Sequence, residues 1–250
     1  MREEGKYLYA IIGTNEERNF GPIGLGGREV ETIAYRDLSA VMSTAPLRKY
    51  EVSKANLLAH ERVLERVMNE HTVLPVRYCT VAQNAEEIRQ LLERRYQELK
   101  HLLRDLDGKV ELGVKAFWRE MDLLFQEIVD ENEAIKHLKA EIARQPSRQT
   151  HPQRIAIGKM VQAALEAKKE GEGEQILWVL RRLAAEHRLN ATVGDRMFLN
   201  AAFLVDRARE KEFDDQMERL SLRYRERVKF AYVGPVPPYN FVNIILHPDE

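Results

Sequence analysis

The chain has 250 residues, of which 44% are hydrophobic and 32% are charged, and its formal net charge is −1. This length predicts two domains, and the near-neutral charge gives none of the basic excess typical of nucleic-acid-binding proteins. The single cysteine, Cys79, excludes an intramolecular disulfide, and no apolar run approaches the roughly 20 residues that span a bilayer, so we expect a soluble cytoplasmic protein.

The N-terminal half predicts strands that alternate with helices. Strands are expected at Lys6–Ile12, Glu29–Ala34, Leu38–Thr44, Val73–Val81 and Lys109–Trp118. Ser53 predicts the N-cap of a helix that runs to about Glu70, with Leu57 on its apolar stripe. Asn84 with Glu87 predicts a capping box for a helix that ends at Gly108. Because helices can cover one face of such a sheet, the pattern predicts an α+β fold.

The glycine-rich stretch Asn19–Gly27 predicts a loop. A phosphate-binding loop needs Lys-Ser/Thr after its last glycine and a helix beyond, whereas this chain continues with Arg28-Glu29 and a strand. The stretch is therefore interpreted as a surface loop.

The middle of the chain predicts a helical hairpin. Apolar residues recur at heptad-like spacing from Met121 to Ile142, and the segment Pro146–Pro152 interrupts them. A second helix begins near Pro152 and weakens at Gly171 and Gly173. We expect it to resume at Glu174 and to end near Arg188.

The last part of the chain predicts a smaller α+β unit. A strand at Met197–Asp206 leads into a helix that reaches Tyr224, and Val228–Val233 predicts a final strand before a proline-rich tail. We therefore expect a domain at residues 1–120 and a second at residues 121–250, which combines the helical hairpin with the small α+β unit.

No group of residues typical of a reaction centre stands out. His60-Glu61 begins like a zinc-protease motif, but Leu64 stands where the second histidine ligand is required. Tyr7 and Tyr9 share a strand face that can in principle stack RNA bases, but the chain lacks an RNA-recognition motif, which favours core packing or protein contact. We expect a non-enzymatic protein without metal, cofactor or nucleic acid.

Two segments are candidates for protein interaction. A charged residue within the apolar strand LPVRYCT needs either a partner or a position facing solvent. In the tail GPVPPYNFV the prolines fix the backbone, and two aromatic residues two positions apart would enter one groove if the segment is extended. The structural alternative is that the tail simply fastens onto the fold. The candidate residues are Arg77, Tyr78, Pro237, Pro238, Tyr239 and Phe241.

Several of these segments together resemble the GvpL/GvpF family of gas vesicle proteins, in the order expected of that family. They are YLYAII at Tyr7–Ile12, VLPVRYCTV at Val73–Val81, KVELGVKAFW at Lys109–Trp118, the stretch Asn200–Leu220, and GPVPPYNFV at Gly234–Val242. The resemblance implies a ferredoxin-like N-terminal domain and a non-enzymatic role in gas vesicle formation.

The resemblance also implies partners and a location. It implies binding to a GvpA-like major shell protein, which limits aggregation of that protein during vesicle nucleation, and contact with other gas vesicle accessory proteins. The expected location is the cytoplasm and the gas vesicle, with no membrane partner. A mean hydropathy of −0.47 is too polar for bulk shell material, so a minor component or an assembly factor is expected.

Two other classes remain open from the residues alone. One is a ferredoxin-like enzyme or small-ligand-binding module whose active site has no recognisable motif. The other is a coiled-coil adaptor that depends on the central helices.

Overall fold

The computed structural model describes residues 4–144 and 150–244. The chain forms two compact units: unit 1 contains Met1–Glu111 and Gly234–Glu250, and unit 2 contains Leu112–Val233. The chain thus leaves unit 1, forms unit 2 and returns. The division into a first domain at residues 1–120 and a second at residues 121–250 stays a prediction.

Unit 1 is built on a six-stranded antiparallel sheet. Its strands are β1 (Glu4–Ile12), β2 (Asn19–Gly21), β3 (Val30–Tyr35), β4 (Leu38–Pro46), β5 (Val73–Pro75) and β6 (Val81–Ala82). The order is β2-β3-β4-β1, and β5 and β6 both pair with the remaining side of β1. The stretch predicted as a loop at Asn19–Gly27 therefore contains a short strand.

Three helices cover this sheet: α1 (Lys54–Met68), α2 (Ala85–Arg94) and α3 (Tyr96–Asp105). The predicted caps are present, since Ser53 accepts a hydrogen bond from the Asn56 N–H (3.2 Å) and Asn84 accepts one from the Glu87 N–H (3.0 Å). The helix predicted to run without interruption to Gly108 instead breaks at Arg95.

The apolar stripe predicted for α1 was wrong at one position. Leu57 is 42% exposed, whereas His60, Val63 and Leu64 are buried against the sheet. A heptad displaces a residue by only about 20° around the helix, so Leu57 stays near the face of Leu64. Its exposure follows from its position at the start of α1, where no residue before His60 is buried.

Unit 2 combines a four-stranded sheet with four helices. In chain order its elements are β7 (Lys109–Trp118), α4 (Met121–Glu131), α5 (Glu133–Ala143), α6 (His151–Leu180), β8 (Glu186–Leu189), β9 (Met197–Asp206), α7 (Glu210–Arg223) and β10 (Val228–Val236). The first three residues of β7, which include Glu111, and the last three of β10 belong to unit 1. The sheet order is β10-β7-β9-β8. This is the βαββαβ order of a ferredoxin-like unit, with the helical region α4–α6 as its first crossover.

The α+β class is confirmed, and the position of the ferredoxin-like order requires a correction. It lies in unit 2, because unit 1 forms four strands before its first helix. The central helices α4 and α5 both pack on α6, and α6 packs on β9. Part of the predicted break at Pro146–Pro152 lies outside the described residues.

The long helix α6 also differs from its prediction. It continues without a break through Gly171 and Gly173 and ends at Leu180. A Cβ at Gly173 would lie 3.4 Å from the carbonyl oxygen of Phe198, which is an ordinary van der Waals contact, so Gly173 marks a point where α6 packs on β9. Within residues 4–144 and 150–244, no helix is long and apolar enough to cross a membrane.

Candidate functional site

A bulge interrupts the strand predicted at Val73–Val81. The Val76 N–H donates to the carbonyl of Tyr9 (2.9 Å), and the Leu8 N–H donates to the carbonyl of Thr80 (2.9 Å). Tyr9 and Leu8 are adjacent on β1, so residues 77–79 have no counterpart there. A bulge of this kind turns side chains away from the direction that strand alternation gives them.

Two hydrogen bonds fix the bulge. Cys79 adopts a positive φ of 69°, and its N–H donates to the hydroxyl of Tyr7 (3.0 Å). The Thr80 hydroxyl donates to the carbonyl of Arg77 (2.6 Å). The bulge therefore presents Arg77, which is exposed, and Tyr78, which is half-buried, outside the ladder of strand pairs.

A neutral hydrogen-bonded pair lies under the bulge. The Tyr7 hydroxyl and Nδ1 of His60 are 3.1 Å apart, and both side chains are buried. Because this hydroxyl accepts from the Cys79 N–H, its own hydrogen is directed to His60 Nδ1. Burial lowers the pKa of His60 to about 4, against a hydrogen bond to the Val76 backbone that raises it. His60 is therefore neutral at pH 7.

The tail forms a turn where an extended segment was expected. The carbonyl of Pro238 accepts hydrogen bonds from the N–H groups of Phe241 (3.0 Å) and Val242 (3.1 Å). The chain then reaches Ile244, which pairs with Val76 in a parallel β-bridge beside the bulge. The prediction that the Tyr239 and Phe241 rings enter one groove was wrong, because the turn leaves Tyr239 39% exposed and buries Phe241 to 8% exposure.

A buried carboxylate holds this turn. Glu111 on β7 is only 3% exposed, and it accepts hydrogen bonds from the Asn240 backbone N–H (2.8 Å) and side-chain amide (2.5 Å). Hydrogen bonds to an ionised carboxylate are the stronger ones in proteins. The tail is thus fixed to unit 1 by a specific polar contact as well as by its buried apolar residues.

The bulge, α1 and the tail enclose a cleft of about 380 Å³. Its walls are mainly apolar or aromatic, with one basic and one acidic side chain. The lining residues are Leu57, His60, Glu61, Pro75, Val76, Arg77, Tyr78, Tyr239, Val242, Asn243 and Ile244. These residues define the cleft.

The two charged residues of the cleft are not paired with each other. Arg77 is exposed and Glu61 is half-buried, and neither forms an ion pair or side-chain hydrogen bond within residues 4–144 and 150–244. Partial burial raises the pKa of Tyr239, and the carboxylates of Glu61, Glu65 and Glu111 raise it further. The cleft therefore has a cationic side chain on the bulge and a negative environment beside Tyr239.

The structure brings together three of the six predicted interaction residues. Arg77, Tyr78 and Tyr239 line the cleft. Pro237, Pro238 and Phe241 are buried, and they support the tail wall without lining the cleft. The role of these residues in protein interaction stays a prediction.

Sequence reasoning missed the contribution of α1 and of the last tail residues. Leu57 and Glu61 are four residues apart on α1, so they share a helical face, and this spacing was a usable signal. Val242 and Ile244 line the cleft because Ile244 forms a β-bridge with Val76, and no sequence pattern predicts this bridge.

Unit 2 contains a charged cluster of a different kind. The Arg227 guanidinium donates two hydrogen bonds to Glu127 (2.7 and 2.8 Å) and two to Glu172 (2.7 and 3.2 Å). Its hydrogen bonds to Glu127 and Glu172 raise the pKa of Arg227, and Arg227 lowers the pKa of Glu127. Glu172 also accepts from the indole N–H of Trp118 (2.8 Å), whose ring stacks on Phe198.

Among the described residues, no three His, Cys, Asp or Glu side chains are grouped as metal ligands would be.

Comparisons with known proteins agree along almost the whole chain. The sequence model of the family described as "Gas vesicle synthesis protein GvpL/GvpF" matches residues 5–243. Gas vesicle protein F of Nostoc sp. is 29% identical over 243 residues, which cover 96% of this chain and 98% of that protein. Gas vesicle protein F1 of Halobacterium salinarum is 27% identical over 245 residues, which cover 96% of this chain and 94% of that protein.

A solved structure shares the fold. The crystal structure of gas vesicle protein GvpF from Anabaena sp. PCC7120 superimposes with a TM-score of 0.85 at 28% sequence identity. The match covers 97% of this chain and 99% of that chain.

Proposed function

The chain belongs to the GvpL/GvpF family of gas vesicle synthesis proteins, and we propose that it acts in vesicle formation by binding the small apolar shell protein and limiting its aggregation before assembly. A shell subunit with an exposed apolar face is an aggregation hazard until it is incorporated. A partner that covers part of that face would lower this hazard. The family membership is the observation that carries this proposal.

The cleft of unit 1 is the proposed contact surface. Two large apolar or aromatic side chains at the cleft remain accessible, Leu57 at 42% and Tyr239 at 39% exposure. The neighbouring Val52 is 78% exposed, and it follows Glu51, whose carbonyl accepts a hydrogen bond from the Tyr78 hydroxyl (2.7 Å). Accessible apolar side chains around a concave site are typical of surfaces that bind other proteins.

Shell-protein aggregation tests the proposal directly. Purified shell protein is diluted from denaturant with and without this protein, and light scattering is recorded. We expect the wild type to suppress scattering, and Leu57→Ser and Tyr239→Ala to reduce that suppression. Leu222→Ser is the matched control, because Leu222 is 64% exposed on α7 of unit 2. Equal suppression by all four proteins would remove the cleft from the proposal, and no suppression by the wild type would remove the aggregation role.

Association with vesicles is the second part of the proposal. We expect a fraction of the protein to float with intact vesicles and to remain after a detergent wash if it is a minor vesicle component. Recovery entirely in the infranatant, with vesicle formation lost on gene deletion, assigns it to assembly alone. Normal vesicles after deletion would favour the alternative of a small-ligand-binding module.

A further inference from the structure

Two charged side chains of the cleft have no partner in the part of the chain that the structure describes. Arg77 extends from the bulge, and Glu61 lies on α1 one helical turn after Leu57. They are not within ion-pair distance of each other. Most other lining side chains are apolar or aromatic, so the cleft presents one charge of each sign among apolar walls.

A purely apolar partner fits this surface poorly. Such a partner would remove water from a guanidinium and a carboxylate without supplying hydrogen bonds to either. Covering a charge without giving it a partner costs free energy, which offsets the gain from the apolar contacts around it. Glu61 is already half-buried, so further covering falls on a group that has lost part of its hydration.

We propose that the segment bound in the cleft presents both a carboxylate and a cationic side chain, placed on either side of an apolar side chain. The carboxylate contacts Arg77, whose planar guanidinium suits bidentate pairing, and the cation contacts Glu61. The apolar side chain lies against Leu57 and Tyr239. This inference rests on the proposed function and names the chemistry of the shell-protein segment that the cleft accepts.

The charges of Arg77 and Glu61 would make the cleft selective among apolar segments. An apolar surface alone would accept any exposed hydrophobic segment, including stretches of unrelated unfolded proteins. A segment without charges would leave Arg77 and Glu61 covered but unpaired, and a segment with its charges in reverse order would place like charges against each other. The shell protein is thereby distinguished from other apolar clients.

The test uses overlapping synthetic peptides that cover the shell protein, each measured against the full-length protein by fluorescence anisotropy. We expect the tightest peptide to contain an acidic and a basic residue around an apolar one. Arg77→Glu and Glu61→Lys should each weaken that peptide about tenfold or more, as loss of a desolvated charge pair does. The Arg77→Glu variant should regain affinity for the peptide whose acidic residue is replaced by lysine.

Matched controls come from α7 of unit 2. Glu218 and Arg219 are exposed, and Glu218→Lys and Arg219→Glu make the same charge changes away from the cleft. These two variants should bind the peptide as the wild type does. Circular dichroism of every variant confirms that each remains folded.

The possible results distinguish failure of the charge requirement from failure of the proposed function. If the tightest peptide lacks either charge, the requirement for a segment with both charges is wrong. If Arg77→Glu and Glu61→Lys leave binding unchanged while Tyr239→Ala weakens it, that requirement is also wrong, but the cleft remains the contact surface. If the protein binds no peptide and does not suppress shell-protein aggregation, both the requirement and the proposed function are wrong. Equal weakening by the control variants would also overturn the requirement, since net charge would then explain the effect.

Discussion

The Arg227 cluster of unit 2 and the cleft of unit 1 place their charged side chains in opposite ways. In unit 2, Arg227 is paired with Glu127 and Glu172, and these contacts join α4, α6 and the residue before β10. In unit 1, the buried polar pair of Tyr7 and His60 is neutral, and the two charges of the cleft have no partner among residues 4–144 and 150–244. A paired charge has already recovered its lost hydration within the fold, whereas an unpaired one can still do so with a partner. The difference separates a cluster whose charges hold helices together from a cleft whose charges remain available to a partner.

The largest expected loss of stability comes from a substitution in the tail of unit 1. Phe241→Ala should lower the free energy of unfolding by about 3 kcal/mol, because a large side chain that is only 8% exposed is lost from the packed tail. Both tryptophans, Trp118 and Trp178, lie in unit 2, so fluorescence follows that unit while tyrosine near-UV circular dichroism mainly follows unit 1. We expect the tyrosine signal to melt earlier. An unchanged melting temperature would show that the tail does not support unit 1.

A pH titration sharpens the comparison at His60. The pKa of His60 is about 4 in the folded protein and 6.5 ordinarily, so the unfolded chain binds more protons between these values. Its contribution to stability is complete above pH 6.5 and is lost as the pH falls towards 4, by about 3 kcal/mol in total. Chemical denaturation across this range measures it. His60→Gln should flatten the dependence, whereas His137→Gln, at a histidine whose side chain is 78% exposed, should not.

Removing the central charge of unit 2 should have the next largest effect. Arg227→Ala leaves Glu127 and Glu172 without their shared partner and should cost about 2 kcal/mol, less than for a fully buried ion pair because these groups are partly solvated. Arg227→Lys keeps the charge but loses the bidentate geometry, so its loss should be smaller. Trp118 fluorescence reports the transition. Equal stability of both variants and the wild type would contradict a structural role for the cluster.

The same cluster predicts acid sensitivity in a lower pH range than His60 does. Arg227 holds the pKa of Glu127 below its ordinary 4.5, so this carboxylate contributes stability above pH 4.5 that is lost as the pH falls through the folded value. Tryptophan fluorescence should therefore change at lower pH than the tyrosine signal. Coincident transitions would mean that the two units unfold as one.

The smallest expected effect concerns Arg77. Arg77→Ala should change the free energy of unfolding by no more than about 0.5 kcal/mol, because the side chain is exposed and has no side-chain partner among the described residues. Thermal melting checks this beside Arg227→Ala. A large destabilisation would show that Arg77 supports the bulge, and the contrast between the units would then fail.

Local sequence patterns predicted the elements whose causes are local. The strand Lys109–Trp118 matches its predicted bounds, and the caps at Ser53 and Asn84 are present because each depends on residues within one turn. Asn132 was a missed local signal. It accepts a hydrogen bond from the Ile135 N–H (3.2 Å) and starts α5, where one continuous helix was predicted.

The remaining differences have distant causes. Cys79 takes its positive φ while it donates to Tyr7, which is 72 residues away in sequence, and strand propensity cannot anticipate this contact. A bulge at residues 77–79 therefore interrupts the segment predicted as one strand, and that bulge forms a wall of the cleft. Arg77 and Tyr239 were found because unusual residues in apolar or proline-rich segments stand out, whereas Glu61 looks like any other charge on a helix.

The return of the chain to unit 1 has a consequence for biosynthesis. Glu111 and Asn240 are separated by 129 positions, so a ribosome must complete all of unit 2 before the tail that closes unit 1 can emerge. Domains generally fold as units during synthesis, and contacts between distant residues form slowly. Unit 2 can therefore fold while unit 1 still lacks one wall of its cleft. The nascent protein would then acquire its binding surface only after residues 112–233 have been synthesised.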